Sequence, residues 1–220
     1  MWIRPCLIVV AVLFGSLHVS AVEPVTPKGK QLASALDRME VEKLWLKGAY
    51  VRWDTGEPLP KPVTDGKPHT HCSAFVAAAS MKLGVYIQRP KRKDDPTGAT
   101  PHKETLLANA QFDWLHGEEG KKFGWKTVAD PKAAQDLANQ GYLVVASFKE
   151  ADAKKPGHIA FVRPSDSRTD QDIENDGPAI VQAGMKNSAN TTLRAGFRNH
   201  PDAWEKSRGV RFFAHAWEPK

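Results

Sequence analysis

The second half of the chain changes from a helical to a strand-like pattern, and this change constrains the fold most. Four short segments there are rich in β-branched and aromatic residues and bounded by turn residues, which is typical of β-strands. They are "GYLVVASF" (141–148), "HIAFVRP" (158–164), "PAIVQAG" (178–184) and "GVRFFAHAW" (209–217). Helices first and strands afterwards predict an α+β domain, with helices packed on a small antiparallel sheet.

Helical periodicity or capping residues predict four helices, in residues 28–47, 72–84, 102–119 and 130–141. In the second helix, apolar residues recur at steps of three and four, so Cys72 stands at the top of a buried stripe. Gly84 suits the C-terminal cap of that helix. In the last helix, Asp130 is placed to cap the N-terminus and Pro131 to occupy the first turn.

The N-terminal segment has the pattern of a secretory signal peptide. Arg4 precedes an apolar run over residues 6–14, and small residues follow at Val19, Ser20 and Ala21. The alternative is an uncleaved anchor, but the run is shorter than the roughly 20 residues of a spanning helix. We therefore expect residues 1–21 to be removed, leaving a single secreted or periplasmic domain over residues 22–220 without a stable membrane anchor.

Charge and cysteine content limit the partners of this expected mature chain. The sequence has 31 Lys and Arg against 25 Asp and Glu, a net charge of +6 that suits an anionic cell envelope. No dense basic stripe interleaved with aromatic residues is present, so we do not expect a nucleic-acid partner. The run "RPKRKDDP" (89–96) is predicted to be a solvated loop. We expect a monomer in which Cys72 is the single cysteine left after Cys6 is removed.

Cys72 is the candidate nucleophile. A cysteine in the first turn of a helix feels the partial positive charge of the free N–H groups, which favours the thiolate and predicts a lowered pKa. We accordingly expect iodoacetamide to react with it at unusually low pH. The alternative is a small buried hydrophobic residue. An oxidising compartment selects against stray thiols, and polar Thr70, His71 and Ser73 indicate a site near the surface, so both features favour catalysis.

A thiol nucleophile needs a base, and His158 is the best candidate because a strand after a Pro-Gly turn would hold its imidazole firmly. Gln182, on the next predicted strand, offers an amide oxygen that can orient the imidazole. Together they predict a Cys72, His158 and Gln182 triad. Six other histidines are weaker candidates and are predicted to be mostly solvated: His69, His71, His102, His116, His200 and His215.

Three segments in this order resemble the NlpC-type cell-wall cysteine peptidases of the papain-like fold. "HCSAFV" resembles the nucleophile segment of that family, "GHIAFV" its histidine strand and "IVQAG" its third polar position. "YVRWDTGEP" is similar to the segment ahead of the nucleophile. The resemblance implies catalytic Cys72, His158 and Gln182, a substrate-side role for Tyr50, and a substrate-binding set that also holds Trp53, His71 and Ser73.

The resemblance further implies hydrolysis of amide bonds in peptidoglycan stem peptides through a thioester, with no metal or other cofactor. A CHAP-like N-acetylmuramoyl-L-alanine amidase is the alternative within the same chemistry. Two family positions differ here, because His71 stands where the family has Asp and Ala74 where it has Gly. The separation between Cys72 and His158 is also longer than usual and contains an additional predicted helix.

Two hypotheses of another kind, a metal-binding protein and a non-catalytic binding module, stay open at this point. "HTHC" places His69, His71 and Cys72 within four positions, a soft ligand set suited to zinc or copper in a metal-binding exported protein. Three close ligands without a distant pair fit structural zinc poorly. A non-catalytic binding module that kept the fold would more often have lost Cys72 or His158.

Overall fold

The computed structural model describes residues 22–89 and 107–220. Over these residues the helices are α1 (Pro27–Asp37), α2 (Cys72–Lys82), α3 (Ala108–His116), α4 (Glu118–Lys122), α5 (Pro131–Asn139), α6 (Asp170–Asp176) and α7 (Leu193–Gly196), with a 3₁₀ turn at Pro201–Ala203. The strands are β1 (Lys126–Val128), β2 (Leu143–Phe148), β3 (His158–Val162), β4 (Ala179–Gln182), β5 (Ser188–Thr192) and β6 (Arg211–His215). This content confirms the predicted α+β class.

The six strands form one antiparallel sheet in the order β1-β6-β2-β3-β4-β5. Helices cover both of its faces. On one face α1, α2 and α3 pack around buried residues such as Phe75 and Phe161. On the other face α5 and α7 pack around residues such as Val162 and Ile180. Strands β2, β3 and β4 are buried along their whole length because both faces are covered.

Strand β3 carries side chains into both layers. Ile159 and Phe161 belong to the core under α2, whereas Ala160 and Val162 belong to the opposite core. Alternation along the strand therefore places His158, its first residue, on the side of Ala160, as predicted. His158 is paired with Phe148, the last residue of β2. The imidazole thus lies at one end of the sheet, where the two layers of helices meet solvent.

Two of the predicted helices are confirmed with their caps. Helix α2 begins at Cys72, and Gly84 follows it with a φ of 77°, a conformation that suits glycine at a helix C-terminus. Helix α5 begins at Pro131, and the Asp130 side chain accepts a hydrogen bond from the Ala133 N–H at 2.8 Å.

The first predicted helix is shorter in the structure, and the third is divided into two. Helix α1 ends at Asp37 rather than at residue 47, and Glu40 and Trp45 follow with positive φ values of 51° and 52°, which a helix does not accommodate. The third predicted helix is divided into α3 and α4 by Gly117, whose ψ of 173° is extended. Residues 102–106 of that prediction lie outside the described residues.

Two strands and two short helices were missed by the sequence patterns. Strand β5, "SANTT", is half-exposed at the sheet edge and has no apolar alternation to reveal it. Strand β1 has only three residues. Helix α6 has a complete capping box between Thr169 and Asp172, which is a recognisable sequence signal. Helix α7 has four residues and is too short for a periodic pattern.

The predicted signal peptide, residues 1–21, lies outside the described residues, as does the run 89–96 apart from Arg89. Within residues 22–89 and 107–220, no helix combines the length and the apolar character needed to cross a membrane.

Candidate active site

Helix α2 presents Cys72 as its first residue. The first helical hydrogen bond runs from the Phe75 N–H to the His71 carbonyl at 2.8 Å, and the His71 side chain does not cap the helix. The thiol is 8% exposed and is joined to the core beneath α2. The backbone N–H groups of Ile159, Ser73 and Cys72 itself lie near the sulfur and act to lower the pKa of the thiol. Because Ile159 follows His158 in β3, the thiol lies near the end of the sheet that carries the imidazole.

The direction of the pKa change at Cys72 is opposite to the sequence-based prediction. Burial raises the pKa of the thiol, and the three backbone N–H donors lower it by less. The prediction considered the helix N-terminus alone and did not include the cost of removing a thiolate from water. Cys72 is therefore a neutral thiol at rest, and it needs a base to remove its proton.

His158 and Gln182 form the predicted hydrogen bond across β3 and β4. The His158 Nε2 and the Gln182 Oε1 are 2.6 Å apart, and both side chains are 5% exposed. The Gln182 amide NH₂ donates to the Lys186 carbonyl at 3.0 Å, which orients its oxygen towards the imidazole. An oxygen can only accept, so Nε2 carries the proton and Nδ1 is left with a free lone pair. This is the tautomer that a general base requires.

The imidazole is also neutral. Burial lowers the pKa of His158 to about 4, although the hydrogen bond to Gln182 acts in the opposite direction. The Phe197 ring meets the imidazole edge to face, with centroids 4.6 Å apart. These contacts fix the ring, and burial keeps it unprotonated at neutral pH, so it can receive a proton from a neighbouring group.

Two glycines leave the space that this pair occupies. A Cβ at Gly184 would lie 3.2 Å from the His158 Cε1, a tight contact for the imidazole. A Cβ at Gly196 would lie 2.5 Å from the Ile180 Cδ1 and 2.9 Å from the Gln182 Oε1. Gly184 ends the predicted strand "PAIVQAG", but no sequence pattern indicated that it adjoins the histidine.

A second histidine, His200, lies beside His158 and was not predicted as a site residue. The two imidazoles are nearly parallel, with 10° between their planes and centroids 5.8 Å apart. The His200 Nδ1 is 2.8 Å from a carboxylate oxygen of Glu150. Burial lowers the pKa of His200, the Glu150 hydrogen bond raises it by less, and the nearby His158 lowers it further. His200 is half-buried rather than solvated, and its partner is 50 positions away, so no local motif could have revealed the pair.

A cleft of about 360 Å³ opens onto these two histidines. Its wall includes Glu150 and Lys155, with apolar contributions from Pro68, Pro156 and Met185, and it also includes Thr70, Gly157, His158, Gly184, Gly196, Asn199 and His200. Thr70 precedes Cys72 by two residues, so the segment that leads into α2 adjoins the cleft, whereas Cys72 itself is buried and is not among the residues that line it. The cleft offers a substrate both charged groups and apolar surface.

The four residues predicted to bind substrate lie near α2, and none of them lines this cleft. Tyr50 is half-buried with its ring 4.5 Å from that of His69, and Trp53 packs against the core while its carbonyl accepts from the Trp45 indole at 3.0 Å. The His71 Nε2 is 2.9 Å from the Ala49 carbonyl. Ser73 is 7% exposed, and its carbonyl accepts from Gln111 at 3.1 Å.

The residues of the metal-binding alternative have other partners. His69 is 2.7 Å from an Asp65 carboxylate oxygen, and His71 is engaged by the Ala49 carbonyl. Burial lowers the pKa of His71 more than that hydrogen bond raises it. Within the part of the chain that the structure describes, no group of three or more His, Cys, Asp or Glu side chains is arranged to hold a metal ion.

Similarity to known proteins adds no functional information to this geometry. No protein-family model matches the chain, and a search of curated proteins gives no significant match. The chemistry of the site is therefore inferred from the arrangement of Cys72, His158, Gln182, His200 and Glu150.

Proposed function

We propose that this protein is an exported cysteine hydrolase of papain-like fold that cleaves amide bonds in peptidoglycan stem peptides. The observation that carries the proposal is the 2.6 Å hydrogen bond between His158 and Gln182, at the sheet end where the Ile159 N–H reaches the Cys72 thiol. A buried imidazole with Nδ1 unprotonated, at the same end of the sheet as a thiol at a helix N-terminus, is suited to nucleophilic catalysis. The resemblance of the same three segments to NlpC-type peptidases supports the amide substrate.

The first half of the reaction forms a thioester. As the Cys72 sulfur attacks an amide carbonyl carbon, the thiol proton passes to the His158 Nδ1, so that thiolate character develops only during attack. The Gln182 oxygen accepts from the Nε2–H throughout and stabilises the imidazolium that forms. The negative charge on the carbonyl oxygen is stabilised by the Cys72 backbone N–H. The imidazolium then gives its proton to the leaving nitrogen, and the C–N bond breaks.

The second half restores the enzyme. His158, neutral again, takes a proton from a water molecule while the water oxygen attacks the thioester carbonyl. The intermediate collapses with cleavage of the C–S bond, and the proton returns to the departing thiolate. The products are a free carboxylic acid and a free amine, and no cofactor takes part.

Peptidoglycan is proposed as substrate because three features agree. The N-terminal sequence predicts export, the net charge of +6 suits an anionic envelope, and the resemblance is to cell-wall enzymes. Hydrolysis of the glycan would instead need a pair of carboxylates that flank the bond between two sugars. The cleft contributes one carboxylate, Glu150, and it is paired with His200.

The test is mass spectrometry of products released from purified sacculi by residues 22–220. We expect new free amines without new reducing sugar ends, and no such products from the matched Cys72→Ala variant. Amines on a diamino acid or a later stem residue support the peptidase. Amines on L-alanine identify the CHAP-like amidase instead. Intact sacculi, or release that persists in the Cys72→Ala variant or is abolished by a chelator, would contradict the proposal.

A further inference from the structure

A basic groove lies at the far end of α2 from the nucleophile. It has a volume of about 540 Å³ and is lined by four cations, Lys30, Arg38, Lys82 and Lys220, together with Gln31, Ser34, Ala35, Leu83, Trp217 and Pro219. Ala35, Leu83 and Trp217 are buried and contribute an apolar floor. The lining contains no acidic side chain among the residues the structure describes. We use the name basic groove for this set.

The cations of the basic groove are available to a ligand. Within residues 22–89 and 107–220, none of the four forms an ion pair, and the Lys82 Nζ lies 5.5 Å from the centroid of the Trp45 ring. The neighbouring acids are already committed. Asp37 is 2.6 Å from Arg163, and Glu218 is 2.7 Å from Lys28. Like charges gathered without counter-ions repel each other, so an anionic ligand would relieve a local cost.

The position of the basic groove relative to the site constrains the size of that ligand. Cys72 is the first residue and Lys82 the last of α2, a helix of 11 residues. At a rise of 1.5 Å per residue, the two ends are about 15 Å apart. An extended peptide of up to about four residues held at the thiol is too short to span this distance, whereas a cross-linked polymer is long enough.

We propose that the basic groove binds the free carboxylates of peptidoglycan stem peptides and so holds the polymer against the protein while another peptide of it occupies the cleft. This inference rests on the proposed function for the identity of the polymer. The four unpaired cations supply charge complementarity, and the apolar floor accommodates the aliphatic parts of the peptides. The basic groove takes no part in the chemistry, so it acts on the affinity for polymer and leaves the bond-breaking step unchanged.

The test uses the Cys72→Ala variant, which keeps the polymer intact during binding. Three groove cations are neutralised together as Lys30→Gln, Arg38→Gln and Lys82→Gln. The matched control removes the same charge elsewhere as Lys121→Gln, Lys122→Gln and Lys126→Gln, all exposed and distant in sequence from the groove. Co-sedimentation is measured with sacculi freed of phosphate-containing polymers. We expect about tenfold weaker binding for the groove triple than for the control triple, since exposed ion pairs are each weak but additive.

Catalysis supplies a second readout with Cys72 present. The groove triple should raise KM for sacculi with kcat unchanged, and it should cleave a soluble disaccharide-peptide at the wild-type rate. Equal sedimentation of the two triples would overturn the inference. So would a difference that appears only on sacculi retaining phosphate polymers, because the occupant would then be a phosphate polymer. Groove-dependent binding without any amide cleavage would leave this inference standing and remove the proposed function.

Discussion

The histidines of the cleft and the cations of the basic groove differ in burial and in pairing. In the cleft, each histidine has a partner, because His158 is bound to Gln182 and His200 to Glu150, and burial lowers the pKa of both imidazoles. In the basic groove, Lys30, Arg38, Lys82 and Lys220 are exposed and form no ion pair within residues 22–89 and 107–220. Both regions adjoin α2, one near each end.

Under the two proposals, this difference separates proton transfer in the cleft from polymer binding in the basic groove. A buried, hydrogen-bonded side chain has a fixed orientation and a shifted pKa, which suits the transfer of a proton between defined atoms. An exposed cation keeps its charge and its mobility, which suits the binding of a flexible anionic polymer. Substitutions in the cleft should therefore change rates and pH dependence, whereas substitutions in the basic groove should change affinity alone.

The largest expected effect is at the cleft. Cys72→Ala and His158→Ala should each lower kcat on peptidoglycan by at least about a thousandfold, because the two groups act as one unit. For the same reason the double variant should be scarcely worse than either single variant. Amine release from sacculi measures this, with circular dichroism to confirm folding. Losses that multiply in the double variant would show that the two groups act independently.

The sequence predicted the elements that carry the chemistry better than those that surround them. Cys72 at the start of a helix and His158 at the start of a strand were found because hydrophobic periodicity and flanking glycines record such positions locally. The hydrogen bond from His158 to Gln182 followed from alternation on consecutive strands, and the structure contains it at 2.6 Å.

Properties that depend on three-dimensional surroundings were not predictable in this way. The rise in the pKa of Cys72 results from the core beneath α2, which no local pattern reports. Glu150 and His200 are separated by 50 positions and meet only in the folded chain. The basic groove combines α1, the end of α2 and the C-terminal segment, so its charge is spread over distant parts of the sequence.

A second expected effect concerns stability rather than rate. The pKa of His158 is about 4 in the folded protein, against 6.5 for an unperturbed histidine. As pH falls below 6.5, the unfolded chain gains a proton that the folded chain does not bind, so the free energy of unfolding decreases down to about pH 4. The contribution of His158 to this decrease is about 3 kcal/mol.

Urea denaturation of wild type and His158→Gln at pH 7 and pH 4 measures this contribution. The stability that wild type loses between the two pH values should exceed the loss in the variant by about 3 kcal/mol. The remaining pH dependence includes His71 and His200, whose pKa values burial also lowers. An equal loss in both proteins would mean that His158 is not buried in neutral form.

A smaller effect is expected at Gln182, which orients the base without carrying the proton. Gln182→Ala should lower kcat about tenfold, less than loss of the base itself, because the imidazole keeps its contact with Phe197. Gln182→Glu should instead place a carboxylate beside Nε2 and raise the pKa of His158, which moves the acid limb of kcat/KM to higher pH. An unchanged limb in Gln182→Glu would contradict contact between residue 182 and the base.

The smallest expected effect in the cleft is at Glu150, which acts on His158 only through His200. In the proposed mechanism His158 takes up the thiol proton. The centroid of its ring is 5.8 Å from that of His200, which is hydrogen-bonded to the Glu150 carboxylate. Glu150→Gln keeps the shape and removes the negative charge, so the imidazolium is less stable and kcat should fall about threefold. The same change removes the negative charge of Glu150, which raises the pKa of His200.

Both histidines of Glu150→Gln should consequently titrate at lower pH. The acid limb of kcat/KM should move to lower pH while the plateau rate decreases, a combination that a purely structural defect does not produce. Asp152→Asn is the matched control, because it removes the same charge from an exposed position of the same loop, and it should leave both the plateau and the limb in place. If the two variants have the same pH profile, the Glu150 and His200 pair is electrostatically separate from the base, and proton chemistry in the cleft is confined to Cys72 and His158.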